Sequence, residues 1–292
     1  MFHGSLVALV TPLTQQGEVD YHALTALVGF HLDNQTDGIV VVGTTGECAT
    51  LTGPEKAKVI RHVVEQVGGR IPVIAGTGAT STRQSIDSTR QAMELGVDGC
   101  LIMAPPYIKP TQEGLYQHYR SIAEAVPIPI ILYNVPGRTA CDIRVETVGR
   151  LATLPNIVAI KEATGDPLRS KTLVEKWGQQ LDVLSGDDNV TAEILQVGGK
   201  GVISVTANVV PKLVHELCVA GLEGNEVQLQ KLAQHLTKLN QALFLESNPI
   251  PVKWAVAELG LCGSGLRLPM TSLSENYHQQ LQQTLKEVGA LA

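Results

Sequence analysis

The apolar run Ile157–Thr164, IVAIKEAT, carries one lysine, Lys161, where a buried β-strand would end. An amine is a nucleophile only when neutral, and apolar surroundings disfavour the ammonium and lower its pKa. Moving a lysine from about 10.4 to roughly 7 takes about 4–5 kcal/mol of relative destabilisation of the charged form, a shift that burial can supply. If the strand is regularly pleated with Lys161 inward, Ile157 and Ala159 share its face while Val158 and Ile160 face outward. Ala159 then leaves room beneath the amine and Ile157 floors it with hydrocarbon. Two other fates are open to such a lysine: snorkelling to solvent from the strand end, or pairing with Glu162. The other reactive side chains decide between them.

Three further groups stand at the ends of apolar runs. Gly43-Thr44-Thr45-Gly46-Glu47 offers two hydroxyls and backbone N–H groups freed by glycine, a cradle for a small carboxylate. It reads equally as an ordinary tight turn, and phosphate is the rival anion, although no GxxxxGK[ST] signature is present. Tyr133 has the pleat phase of Ile131 and so points inward on the run preceding that of Lys161; neighbouring strands lie roughly 5 Å apart, so phenol and amine can share one substrate. A phenol relays protons when it is hydrogen-bonded to a further hydroxyl, which Thr44 can supply. Arg138, just beyond, suits bidentate pairing with a second carboxylate, or is a surface arginine. The eight histidines form no HxH, HExxH or HxxxH cluster, and no serine sits in a GxSxG elbow. The set suits Schiff-base chemistry on an α-keto acid, with the iminium as electron sink and the derived enamine attacking an aldehyde. That chemistry calls for no metal and no cofactor.

These residues need a frame that brings strand ends together. Strand-type runs are expected at Leu6–Val10, Gly38–Val42, Val73–Gly76, Gly99–Met103, Ile128–Tyr133, Ile157–Lys161, Val183–Ser185 and Gly201–Ser204. Amphipathic helical patterns lie between them, such as Tyr21–Asp33, Pro54–Val67 and Leu168–Trp177. Continuous apolar strands alternating with helices belong to a parallel sheet. Eight such units in 292 residues, evenly spaced, favour an α/β fold of the closed (β/α)8 TIM-barrel type, whose strand C-termini form the active face. A doubly wound open sheet is the rival, but no GxGxxG follows the first strand. Further helical patterns at Pro211–Ala220, Glu226–Phe244, Pro251–Leu259 and Glu275–Val288 exceed what one barrel unit needs, and divide the chain into a barrel over 1–225 and a C-terminal helical appendage over 226–292.

Composition narrows the partners. Hydrophobic residues at 44% supply a large core, and a net charge of -6 argues against nucleic acid or an anionic membrane as partner. Five scattered cysteines without CxxC spacing form neither a disulfide framework nor a zinc site. The start, MFHGSLVALVTP, reads as a first strand and not a leader, and no apolar stretch approaches the ~20 residues of a membrane span. A cytoplasmic enzyme is the expectation.

The stretches GSLVALVTP, GTTGECATL, IPVIAGTGA, QEGLYQHY, ILYNVPGRTACD, IVAIKEATGD, VLSGDDN, GVISVTANV, NPIPVKWA and LRLPM, from Gly4 to Met270, closely resemble the dihydrodipicolinate synthase family, within the N-acetylneuraminate lyase superfamily of pyruvate aldolases. YNVPGRT followed by IKEATGD at this spacing is the specific part. The resemblance implies a lyase that condenses pyruvate with L-aspartate 4-semialdehyde to give 4-hydroxy-tetrahydrodipicolinate, the first dedicated step of diaminopimelate and lysine biosynthesis. It implies that Lys161 forms the Schiff base, and that Tyr133 is the proton relay, linked through Thr44 to a Tyr107 reaching in from a neighbouring subunit. Thr45 would help hold the pyruvate carboxylate, Arg138 would receive the semialdehyde's carboxylate, and Gly186 and Ile203 would lie near the adduct. A homo-oligomer follows, a dimer or a dimer of dimers. The alternatives are another pyruvate-dependent aldolase, acting on N-acetylneuraminate or 2-keto-3-deoxy sugar acids, and a non-catalytic binding barrel. One patch departs from lysine-inhibited members: Lys56, Thr80, Gln84 and Pro106 stand where a histidine, an asparagine, a glutamate and a tyrosine are common. Without the carboxylate, and with Lys56 adding a like charge, weak or absent inhibition by lysine is expected.

Overall fold

Short β-branched strands cannot leave their edges unpaired, and here they close on one another. The computed structural model, which describes residues 1–291, contains eight strands: β1 (Gly4–Ala8), β2 (Gly38–Val41), β3 (Val73–Gly76), β4 (Gly99–Met103), β5 (Ile130–Asn134), β6 (Ile157–Glu162), β7 (Asp182–Ser185) and β8 (Gly201–Ser204). All neighbours pair in parallel, and β8 returns to β1, so the sheet is a closed barrel. The helices are α1 (Tyr21–Asp33), α2 (Gly53–Val67), α3 (Thr82–Glu94), α4 (Gln112–Ala125), α5 (Pro136–Thr139), α6 (Val145–Leu151), α7 (Pro167–Trp177), α8 (Thr191–Gln196), α9 (Pro211–Leu222), α10 (Glu226–Ala242), α11 (Ile250–Glu258) and α12 (His278–Glu287). The (β/α)8 barrel with a C-terminal helical segment is therefore as expected, and the open sheet is excluded.

Local chemistry sets the element ends. Thr52 and Glu55 form a reciprocal capping box at the start of α2, and Gly68, left-handed, stops it. Asp20 caps α1 by accepting from the Ala23 N–H. The four-residue α5 was not anticipated; it follows directly on β5 and ends at Ala140 in the left-handed region.

Period-two alternation divides the core into two layers. Leu6, Val40, Ile74, Leu101, Ile131, Ala159, Leu184 and Ile203 fill the barrel interior, while Val7, Ile39, Ile102, Leu132, Ile160 and Val202 pack outward under the helices. Phe2 plugs the base of the interior against Gly99, where a Cβ would stand 2.8 Å from the Phe2 ring.

One expectation about β6 fails. The register with β5 runs Ile130 to Ile157 and then Ile131 to Ala159, so one extra residue is accommodated in β6. Ile157 lies in the outer layer, and Val158 packs against the interior cluster. A bulge reverses the pleat phase upstream of itself and leaves it intact downstream. Ala159 and Lys161 keep their inward direction; Ile157 does not floor the amine.

Beyond the eighth strand, α9 packs on β1 and β8, α10 on α9 and α8, and α12 on α10 and α11. The connection from α10 to α11 thereby passes over the mouth of the barrel, where the strand ends lie.

Candidate active site

Lys161 leaves the C-terminal end of β6 directly opposite Tyr133 of β5. It is 5% exposed, and its Nζ lies 4.5 Å from the centroid of the Tyr133 ring. Burial, with the Arg138 charge acting the same way, lowers the amine to about 8, against an opposing pull from Asp188. Both alternative fates of Lys161 are excluded: the amine is not at the surface, and Glu162 on the opposite face is bound by Arg169 at 2.8 Å and by Asn134. Burial also pushes the Tyr133 phenol up, opposed by the Arg138 charge and the Thr44 hydroxyl. A neutral phenol beside an amine that readily loses its proton is a suitable pair for proton transfer.

The amine opens into a cavity of about 580 Å³ lined by Thr44, Thr45, Tyr133, Arg138, Lys161 and Gly186, among others. At Gly186 a Cβ would stand 2.6 Å from the Ala163 Cβ and 3.0 Å from the Lys161 Cε. Only glycine lets the end of β7 pass this close to the lysine stem. Arg138, carried on α5, donates from Nη2 to the Asn248 carbonyl at 3.2 Å. Thr44 and Thr45 belong to the β2–α2 loop, in which Val42 and Glu47 hold positive φ angles of 48° and 56°. Such a backbone persists only when its surroundings impose it. The Glu47 carboxylate accepts from Lys253 Nζ at 2.7 Å and from the Arg267 N–H.

Two anticipated residues stand apart. Ile203 is in the barrel interior beneath the site, not on the cavity wall. Tyr107 is 89% exposed with φ of 76°, so within one chain it does not reach the cavity.

The sequence reading missed several contributors. Phe244, Ser247 and Asn248 line the cavity from the α10–α11 connection. Asn248 donates from Nδ2 to the Thr45 hydroxyl at 3.0 Å. Lys253, on α11, is fully buried and also donates to the Thr11 carbonyl at 2.5 Å and the Gly265 carbonyl at 3.2 Å. A lysine inside the apolar IPVKWAVAE was a usable signal. Asp188 is buried, with its oxygens held by the Ser204 hydroxyl and the Val205 and Thr206 N–H groups; burial raises its pKa.

Comparison with known proteins agrees with this geometry. A family model, the dihydrodipicolinate synthetase family, matches residues 1–288. The 4-hydroxy-tetrahydrodipicolinate synthase of Nitrosococcus oceani is 56% identical over 287 residues, covering 98% of each chain. That of Pseudomonas aeruginosa is 55% identical over 292 residues, covering 100% of both chains. The solved structure of the chloride-inhibited dihydrodipicolinate synthase of Acinetobacter baumannii, complexed with pyruvate, matches with a TM-score of 0.99 at 49% identity over 100% of both chains. A buried lysine facing a tyrosine in the mouth of a (β/α)8 barrel, full-length coverage and this level of identity lead to one conclusion: the chain belongs to the dihydrodipicolinate synthetase family.

Proposed function

We propose that this chain is a lyase that condenses pyruvate with L-aspartate 4-semialdehyde to give 4-hydroxy-tetrahydrodipicolinate, through a Schiff base on Lys161. The observation that carries the reading is the buried Lys161 amine, lowered to about 8 and facing Tyr133 in a cavity that also holds Thr45 and Arg138. The neutral amine adds to the pyruvate ketone, and loss of water leaves the iminium. Tyr133 moves the protons of addition and dehydration, passing them through Thr44. Tyr133, having given its proton to the departing water, then takes a methyl proton while the C–H electron pair flows into the iminium; the resulting enamine carbon attacks the semialdehyde's aldehyde. The semialdehyde's own amine then displaces Lys161 and closes the ring. Thr45 holds the pyruvate carboxylate, and Arg138 receives the carboxylate of the semialdehyde. The Gly186 position leaves room for the adduct beside Lys161, and Ile203 supports its floor.

Tyr107 completes the relay from a second copy, which makes a dimer, alone or paired, the working unit. Its exposure and left-handed backbone suit a side chain held ready for a partner. Five free thiols suit the reducing cytoplasm, and no helix among the described residues is long and apolar enough to cross a membrane.

Weak lysine inhibition belongs to the same reading. Lys56 lines a smaller cavity of about 130 Å³ that reaches Thr44 and Tyr133 and has no carboxylate among its lining residues. Thr80 and Gln84 are exposed in the single chain. A cationic ligand would meet Lys56 there without a counter-ion.

Pyruvate consumption with aspartate 4-semialdehyde, run beside N-acetylmannosamine, tests the assignment. Turnover only with the amino sugar would move the chain to the sugar-acid aldolases. Turnover with neither, and no adduct, would leave a binding barrel.

A further inference from the structure

We propose that Asn248 is a positioning residue: it turns the Thr45 hydroxyl proton toward the cavity and so tightens the grip on the keto acid's carboxylate. The inference rests on the reading of Thr45 as a carboxylate ligand. Asn248 is 203 positions from Thr45 in sequence, comes from the connection between α10 and α11, is 5% exposed and lines the same cavity.

A hydroxyl has one proton and two lone pairs. The Asn248 amide N–H occupies a lone pair of Thr45 Oγ1 at 3.0 Å, so the hydroxyl cannot spend its proton on Asn248. Among the described residues the Thr45 hydroxyl has no other hydrogen-bond partner, and Thr45 is 3% exposed on the cavity wall. Its proton is thereby left for an acceptor inside the cavity, where a carboxylate oxygen is the acceptor the reaction brings. The Asn248 Oδ1 has no partner of its own, so the bond to Thr45 is the only one its side chain makes. Its backbone carbonyl, by contrast, accepts from Arg138. One residue thus touches both groups assigned to substrate carboxylates, through different atoms, and substitution separates them. A changed side chain loses Thr45 and keeps Arg138.

The test is steady-state kinetics with both substrates varied, preceded by borohydride trapping of the pyruvate adduct. Asn248→Ala is expected to raise the pyruvate KM about five- to tenfold, the effect of one misdirected hydrogen bond, with kcat and the semialdehyde KM little changed. Asn248→Asp keeps the shape but takes the hydroxyl proton and adds a like charge, so it should raise the pyruvate KM further than Ala does. A purely structural role predicts the opposite order. In a Thr45→Val background, Asn248→Ala should add nothing more to the pyruvate KM. An unchanged pyruvate KM, equal rises in both KM values, or effects additive with Thr45→Val would overturn the assignment of Asn248. Failure of the wild type to form any adduct would instead overturn the Lys161 reading, and this inference with it.

Discussion

Lys253→Met removes a charge that the fold cannot replace. The Lys253 and Glu47 side chains are 0% and 2% exposed, and the ammonium satisfies the Glu47 carboxylate and the carbonyls of Thr11 and Gly265 together. Without it, a buried carboxylate keeps only the Arg267 N–H at 3.3 Å. Breaking a buried pair by removing one partner costs about 3–5 kcal/mol, because the other charge stays desolvated and unpaired. Glu47→Gln leaves a buried ammonium on neutral acceptors and should cost a similar amount. The double variant removes both charges, so it should be less destabilised than the sum of the singles by at least about 2 kcal/mol. Urea unfolding at fixed protein concentration measures this, with fluorescence from Trp254, which neighbours Lys253 on α11 and stacks on His278. Because Glu47 closes the loop that carries Thr44 and Thr45, the folded fraction of Lys253→Met should also show a raised pyruvate KM. A cost below about 1 kcal/mol for Lys253→Met, or strict additivity in the double variant, would mean that this pair does not hold the loop.

Lys161, lowered to about 8, is charged below that pH and neutral above it, so the rate of pyruvate adduct formation should climb as pH approaches 8 from below and level off above; a rate flat across this range would count against the amine as the titrating group. Gly186→Ala forces the Lys161 stem aside, since the added Cβ would lie 3.0 Å from Cε, and adduct formation should fall about a hundredfold while the variant still folds by circular dichroism; near-normal rates would show that the stem has slack. Added lysine should leave turnover unchanged, because no carboxylate lines the cavity at Lys56; an inhibition constant in the low-millimolar range or tighter would show that other residues rebuild a lysine pocket.

The strand ends were legible because their side chains are unusual for where they stand. A lysine closing an apolar run, a tyrosine in phase with Ile131 and threonines between glycines each break the pattern of a buried sheet, and the barrel brings them to one rim. Ile157 and Val158 were misread because both are aliphatic. A one-residue bulge exchanges their faces without changing the hydropathy of the run, so alternation is blind to it. The contributions of Asn248 and Lys253 depend on partners 203 and 206 positions away. They arise only when the α10–α11 connection folds back over the barrel mouth, and no local periodicity encodes that return. Lys253 did carry a trace of itself, a cation within an apolar helix, which signals a buried counter-charge without saying which one. Tyr107 is the reverse case: the family resemblance, not its own sequence, points to the site, and one chain leaves it in solvent.

Everything proposed for the site turns on Lys161 being the amine that holds pyruvate. Incubating the protein with pyruvate, reducing with borohydride and locating the modified residue by peptide mass spectrometry tests it most directly. One reduced adduct per chain is expected, on Lys161, and none in Lys161→Arg. An adduct on another lysine, or semialdehyde-dependent turnover that persists in Lys161→Arg with no adduct anywhere, would contradict it.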